Sequence, residues 1–288
     1  MRVMKNSLLV ISLFMLLWQP LFPEEIHKAA ASGDLDGVKK LLLEDPGLLN
    51  ALDENGRTPL LRAVLSPKED VFKFLIAQGA DVNMVDREGM SPLLFVSYMG
   101  LSEWADLLIS KGAEIDSQKH VMGFTPLHLA SRAGRKDCAA LLLSKGASLD
   151  LRDRDGRTPL LTAAWFGQDE LVRLLLDNGA SPEERDTFGS TALHLSALNG
   201  HQDIVEMLVS EGADLDSKNE RNGTAVSIAA REGHEEIVKF LLTAGAKTGS
   251  DKPQILEGAY LGQKRPGLTP LMFAPGVIST EKTELNSV

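Results

Sequence analysis

The chain has 288 residues, 43% hydrophobic and 24% charged, a balance that excludes wholesale disorder. Its 30 Lys and Arg against 40 Asp and Glu leave a net charge of −10, which argues against a non-specific nucleic-acid binder, because such a protein needs a basic face. Its single cysteine, Cys138, excludes an internal disulfide.

At the N-terminus Arg2 and Lys5 precede an almost wholly apolar stretch from Leu8 to Trp18, which Gln19-Pro20 interrupts. A basic stretch before an apolar core of about 10–12 residues reads as a secretory signal peptide, here residues 1–23; a membrane span needs about 20 apolar residues. Nothing downstream is shaped to receive this stretch as a buried helix. No A-x-A precedes Glu24, and Leu21-Phe22-Pro23 prolongs the apolar run, so an uncleaved anchor stays open as the alternative. The expectation is an exported protein, periplasmic or secreted, whose membrane contact is confined to that segment.

From residue 25 onward the chain is periodic. Thr58, Ser91, Thr125, Thr158, Thr191 and Thr224 mark equivalent positions, at steps of 33, 34, 33, 33 and 33 residues. A fixed period of that size signals a solenoid, whose units bury their apolar faces only against their neighbours. The unit Asp153 to Ser181 shows why each copy folds alike. Asp153 and Gly156 suit the two ends of a type I turn, Thr158 suits an N-cap, and Pro159 suits the first helical position. Leu160, Leu161 and Ala163 give a short helix its apolar side, and Gly167 ends it. Asp169 and Glu170 open a second helix at the positive end of its dipole. Leu171, Val172, Leu174, Leu175 and Leu176 form its apolar face, and Gly179 stops it.

This unit resembles the ankyrin repeat. The T-P-L-H-x-A signature is nearly complete in Thr125-Pro126-Leu127-His128-Leu129-Ala130, and the G-A-D-x-N/D ending stands at Gly79-Ala80-Asp81-Val82-Asn83 and Gly212-Ala213-Asp214-Leu215-Asp216. The resemblance implies an all-α ankyrin-repeat solenoid of helix-turn-helix units joined by β-turn or hairpin loops. It also implies a binding scaffold, with no partner specified.

In chain order, residues 25–50 read as an N-terminal capping repeat, its second helix formed by Val38, Leu41, Leu42 and Leu43, with Lys28, Lys39 and Lys40 toward water. Residues 51–247 read as six repeats. Repeat one carries Pro67 where the glycine between its helices belongs, repeat three replaces the turn aspartate with His120 and has one extra residue nearby, and repeat six has Asn222 in place of the turn glycine. Residues 248–266 read as an insertion. Residues 267–288 read as a degenerate half-repeat and tail, where Thr269-Pro270-Leu271-Met272-Phe273-Ala274 restarts the signature 45 residues after Thr224.

A search for chemistry returns little. No H-E-x-x-H, paired C-x-x-C, G-x-S-x-G or Walker loop is present. His128 and His194 hold the signature position, which the resemblance makes structural, and His201 and His234 follow the glycine between helices, a surface position in the family. Cys138 falls at a core position. The expectation is no catalytic residue, cofactor or metal, and a monomer that binds another protein rather than nucleic acid. The alternatives are an accessory protein that protects, activates or inhibits one exported enzyme, or, less favoured, an enzyme or metal protein using residues 248–266. The acids of the second helices read as a solvated outer face. The informative residues are those that the repeat does not need, at the turn tips and the last turn of each first helix, which in the family line the concave groove. Tips such as Met90 and Met122 belong to this set, and its aromatics, methionines and arginines are the types enriched at interface hot spots. The candidate partner-binding set is Trp165 and Phe166 as central anchors, with Tyr98, Met99, Phe124, Phe188, Arg132 and Arg157 around them.

Overall fold

The computed structural model describes residues 23–247. The segment read as an export signal lies almost wholly outside the described residues, as do the insertion and the half-repeat. Pro23–Ser32 (α1) and Leu35–Glu44 (α2), with a 3-10 turn over Pro46–Asn50, form the first helix pair. Six pairs follow: Pro59–Leu65 and Glu69–Ala77 (α3, α4), Pro92–Met99 and Ser102–Ser110 (α5, α6), Pro126–Arg132 and Lys136–Ser144 (α7, α8), Pro159–Phe166 and Asp169–Asp177 (α9, α10), Ala192–Asn199 and Gln202–Ser210 (α11, α12), and Ala225–Glu232 and Glu235–Thr243 (α13, α14). Among the described residues there is no strand. The all-helical solenoid read from the period is what the chain forms.

The local causes are those the sequence announces. Thr58, Ser91 and Thr158 cap their helices by accepting from the amides of Leu61, Leu94 and Leu161 at 3.2, 3.2 and 3.4 Å, which satisfies one of the orphan donors at a helix start. In repeats three and five the third helical residue is His128 or His194, and each closes a reciprocal capping box with Thr125 or Thr191. Pro67 changes one joint: α3 ends at Ser66 with φ −119° instead of a left-handed glycine.

The core runs without a break from Ala29 to Ala246. Leu171, Val172 and Leu175 of α10 are buried, while Asp169 and Glu170 are exposed. Phe72 of α4 stacks on Trp104 of α6 at 4.0 Å between centroids, so repeats one and two are joined by an aromatic pair. First helices pack on one another more extensively than second helices do. This closes the stack on the first-helix side and leaves the acidic second helices on the wider, outer side.

The turns between repeats form a ladder along that closed side. Each turn is sealed by an amide donating to the carbonyl at its start, as Gly56 to Asp53 and Gly156 to Asp153, both at 3.0 Å. Each is tied to the next by one backbone bond: Arg87 to Asn55, Val121 to Glu88, Arg154 to Met122, Thr187 to Asp155 and Glu220 to Phe188, at 2.9–3.1 Å. The residues at the tips are therefore held at a fixed spacing. One expected tip residue differs. Met90 is 5% exposed and belongs to the hydrophobic core, while its amide bonds to the Asp86 carboxylate at 3.0 Å.

Candidate functional site

Five of the eight candidate residues meet where repeats three and four join. Arg132 is the last residue of α7, and Trp165 and Phe166 are the last two of α9. Phe124 and Arg157 each precede an N-cap threonine. The Arg157 guanidinium lies 4.4 Å from the Trp165 ring centroid. The Arg132 guanidinium lies 4.8 Å from Phe166 and 5.9 Å from Phe124. Phe124 in turn stacks on His120 at 5.1 Å and tilts toward His128 at 6.2 Å. Each cation rests on the negative face of a ring, an attraction of about 0.5–1 kcal/mol at a partly exposed site. Trp165 and Phe166 are half-buried rather than bare anchors: these guanidinium groups pack on the rings, and Trp165 also packs against the core.

The other three stand apart. Tyr98 and Met99 end α5 one repeat earlier, half-buried. Phe188 is 50% exposed at the tip of turn five, and none of the three makes a ring contact among the described residues.

The cluster sits on a backbone with few free groups. In repeats three to six the residue after the inter-helix glycine reaches back to the end of the preceding first helix. The Arg135 Nε–H donates to the Tyr98 carbonyl at 3.0 Å, the Gln168 Nε2–H to Arg132 at 3.4 Å, and His201 and His234 bond through Nε2 to Trp165 and Leu198, both at 3.2 Å. These bonds satisfy helix-end carbonyls, and Asn199 adds a second donor to that of Trp165 at 3.3 Å. The two histidines expected merely at the surface are thus half-buried struts, one of them directly behind Trp165. Below the turns a second set of side chains clamps successive tips. Gln118 bonds the Gly123 and Arg152 carbonyls at 3.0 and 2.7 Å, Arg152 bonds the Gly156 and Arg185 carbonyls and Glu184, and Arg185 bonds the Gly189 and Lys218 carbonyls at 2.9 and 3.0 Å.

Electrostatics differ along the face. In repeat one the Asp53 carboxylate accepts from two turn amides and from Arg62. Burial raises its pKa, but the Arg57 and Asn55 amides and Arg62 outweigh it and the net shift is downward. In repeat four Thr162 stands where repeat one has Arg62, and its buried hydroxyl has no partner among the described residues. Burial then dominates at Asp153 and its pKa rises, despite the Arg157 amide and charge. In repeat three His120 takes the aspartate's place, its Nδ1 accepting from the Met122 amide at 3.1 Å. Burial lowers its pKa; Asp86 acts the other way, while Arg132 and Arg154 push it down further. Cys138 is buried, which raises its pKa, so its thiol is a packing group.

Elsewhere the surface offers little relief. A shallow open groove of about 580 Å3 crosses the outer side, lined by Lys136, Asp169, Glu170, Arg173, Asp203 and Glu206 among others. Among the described residues no group of three or more His, Cys, Asp or Glu is placed to hold a metal, and no helix is long and apolar enough to cross a membrane.

A family model described as "Ankyrin repeats (3 copies)" matches residues 26–119, 115–186 and 179–252. The chain belongs to the ankyrin repeat family. A 56-residue stretch is also 41% identical to the human DNA-binding protein RFXANK, covering 19% of this chain and 22% of that protein. The chain thus matches well under two thirds of that relative's length. Ankyrin repeats are protein–protein interaction modules, and the Arg–aromatic cluster lies on the turn and first-helix face of this array. What drew sequence reasoning to Trp165 and Phe166 was their redundancy to the ankyrin pattern. Arg154 and His120 also border the cluster, and a weaker signal marks them: an arginine at a turn tip and a histidine where the repeat wants aspartate.

Proposed function

We propose that this ankyrin protein is an exported interaction module, working as a monomer and without catalysis of its own, which holds another protein against its turn and first-helix face. The observation that carries the reading is the cluster of Trp165, Phe166 and Phe124 under Arg157 and Arg132, half-buried on a backbone braced from behind. Rigid aromatic and arginine anchors at the middle of a face concentrate binding energy. Export rests on Arg2, Lys5 and the apolar stretch Leu8 to Trp18.

The test is affinity capture from an envelope extract of the source organism, with wild-type bait beside a Trp165→Ala, Phe166→Ala bait. A protein held by the first and lost from the second is the expected result. Against that purified partner, Trp165→Ala weakens binding by about 2 kcal/mol or more, with the helical circular dichroism spectrum retained. Equal capture by both baits would move the contact elsewhere. Fractionation of cells expressing the tagged chain, with N-terminal sequencing of the product, tests export separately.

A further inference from the structure

We propose that the tip surface of repeats three and four takes an acidic, extended segment of the partner protein, its carboxylates meeting Arg132, Arg154 and Arg157. This rests on the interaction reading above and adds the chemistry of the partner.

The argument begins with an imbalance. On the turn face of repeat one, the arginines are neutralised within the chain: Arg57 pairs with Asp86 at 3.3 Å and Arg62 with Asp53 at 2.5 Å. Two repeats on, this stops. Among the described residues Arg132 and Arg154 have no carboxylate within ion-pair distance, and Arg157 has only the Asp155 carboxylate at 3.5 Å. The Arg157 Nε is buried and has no hydrogen-bond partner among the described residues, so its terminal N–H groups are the ones that face outward. The turn aspartate of repeat four is already committed. Asp153 accepts from the amides of Asp155 and Arg157, both at 2.9 Å, and the turn of repeat three has His120 in place of an acid. A chain with a net charge of −10 therefore carries three poorly neutralised guanidinium groups side by side.

Their geometry selects the ligand. Arg132 and Arg157 rest on the Phe166 and Trp165 rings. A stacked guanidinium keeps its in-plane N–H donors, and that fork matches a carboxylate. Exposed apolar side chains flank the arginines, with Glu88 and Glu220 at the neighbouring tips: Val121 and Met122 are 45% and 36% exposed, and Phe188 is 50% exposed. They lie in one row with Arg154, because Arg154 bonds to Met122, Thr187 to Asp155, and Glu220 to Phe188 through the turn ladder. A row of that kind fits an extended chain with acidic and apolar residues interspersed. The acidic outer side repels a long polyanion such as a nucleic acid, whereas a short acidic segment meets only the patch.

A random dodecapeptide display library panned on the full chain tests this. Selected peptides are labelled with fluorescein and titrated by anisotropy against wild type, Trp165→Ala with Phe166→Ala, Arg132→Gln and Arg154→Gln, at about 50 and about 300 mM NaCl. The expected peptides are rich in Asp and Glu beside apolar residues. They should lose roughly tenfold or more in affinity with either arginine variant, weaken in high salt, and be lost with the aromatic variant. Arg154 is exposed and its side chain makes no hydrogen bond or ion pair among the described residues, only a charge effect on His120, so Arg154→Gln reads charge without disturbing the fold. Peptides lost with the aromatic variant but poor in acids would overturn the acidic inference and leave the interaction face standing. Peptides indifferent to Trp165 and Phe166 would remove both. Tighter binding of a labelled oligothymidine than of any acidic peptide would also overturn it.

Discussion

His128 holds three groups at once. Its Nε2–H donates to the Arg157 carbonyl at 2.9 Å, and its Nδ1 accepts from the Thr125 amide at 3.2 Å and meets the Thr125 hydroxyl at 2.7 Å. That set requires the neutral ring, since a proton on Nδ1 would face the Thr125 amide hydrogen. Burial, against the bonds to backbone carbonyls, lowers its pKa to about 4, and burial lowers His194 and His120 as well. Unfolded histidine titrates near 6.5, so between that pH and about 4 the unfolded chain binds the proton that the folded chain refuses. Stability from His128 is therefore complete above about pH 6.5 and is lost as pH falls toward 4, by about 3 kcal/mol in all. Leucine occupies the same position in repeats one, two and four, as Leu61, Leu94 and Leu161, so His128→Leu fits. It should cost about 1–2 kcal/mol at neutral pH, because the Arg157 carbonyl and Thr125 amide lose a partner. It should also flatten the decline of the urea midpoint between about pH 6.5 and 5. Equal pH slopes for both proteins would contradict this assignment. Because His128 fixes the Arg157 carbonyl, the cost falls beside the proposed binding surface.

At the scale of the element, the irregular turn of repeat three shows what periodicity conceals. Its extra residue lies between Gly112 and His120, since Gly79 to Asp86 and Gly146 to Asp153 are each one shorter. Gln118 takes the bridging role that Arg152 and Arg185 play one and two repeats later, which leaves Lys119 as the bulge. The bulge presses on the preceding turn: a Cβ on Gly89 would sit 2.0 Å from the Lys119 carbonyl oxygen, at φ +80°. Gly79 has a similar φ of +85° with open space around it. Gly79→Ala should therefore cost about 1 kcal/mol, the left-handed strain alone. Gly89→Ala should cost more than about 2 kcal/mol, because a backbone must also move. Urea unfolding of the two variants gives the comparison, and equal costs would refute the close approach. Asn222, at φ 59°, is the one non-glycine in that region among the described residues, so Asn222→Gly should be neutral or slightly stabilising. The helices and caps were legible because Thr, Pro, Leu and Gly recur at fixed offsets. The roles of Gln118 and Lys119 were not, since a one-residue insertion in a polar loop has no periodic signature.

Across the whole molecule, each repeat lends its neighbour a face, which is also why only part of the candidate site could be read in advance. Trp165 and Phe166 stood out because the repeat does not need them, but their arginine partners depend on how far one repeat is offset from the next, and no local pattern encodes that. The same dependence governs the last repeat. Val172 and Val205 are wholly buried in α10 and α12, whereas the equivalent Val238 of α14 is only half-buried and Leu242 is 40% exposed. On α13, Ser227 is exposed where Leu161 and His194 are buried in the corresponding helices. In a linear array, stability is the sum of each unit and its nearest-neighbour interfaces, and a unit with one interface missing opens at lower free energy. Among the described residues repeat six has a neighbour on one side only, so amide hydrogen exchange should be faster in α13 and α14 than in α9 to α12, by about tenfold for each 1.4 kcal/mol of interface lacking there. The comparison is internal to one sample, so it does not depend on overall stability. Protection of α13 equal to that of α11 would mean that chain beyond Lys247 covers this face and supplies the second interface. Exchange measured again on a chain ending at Lys247 would then separate the two cases, because only a covering segment leaves a difference when it is removed.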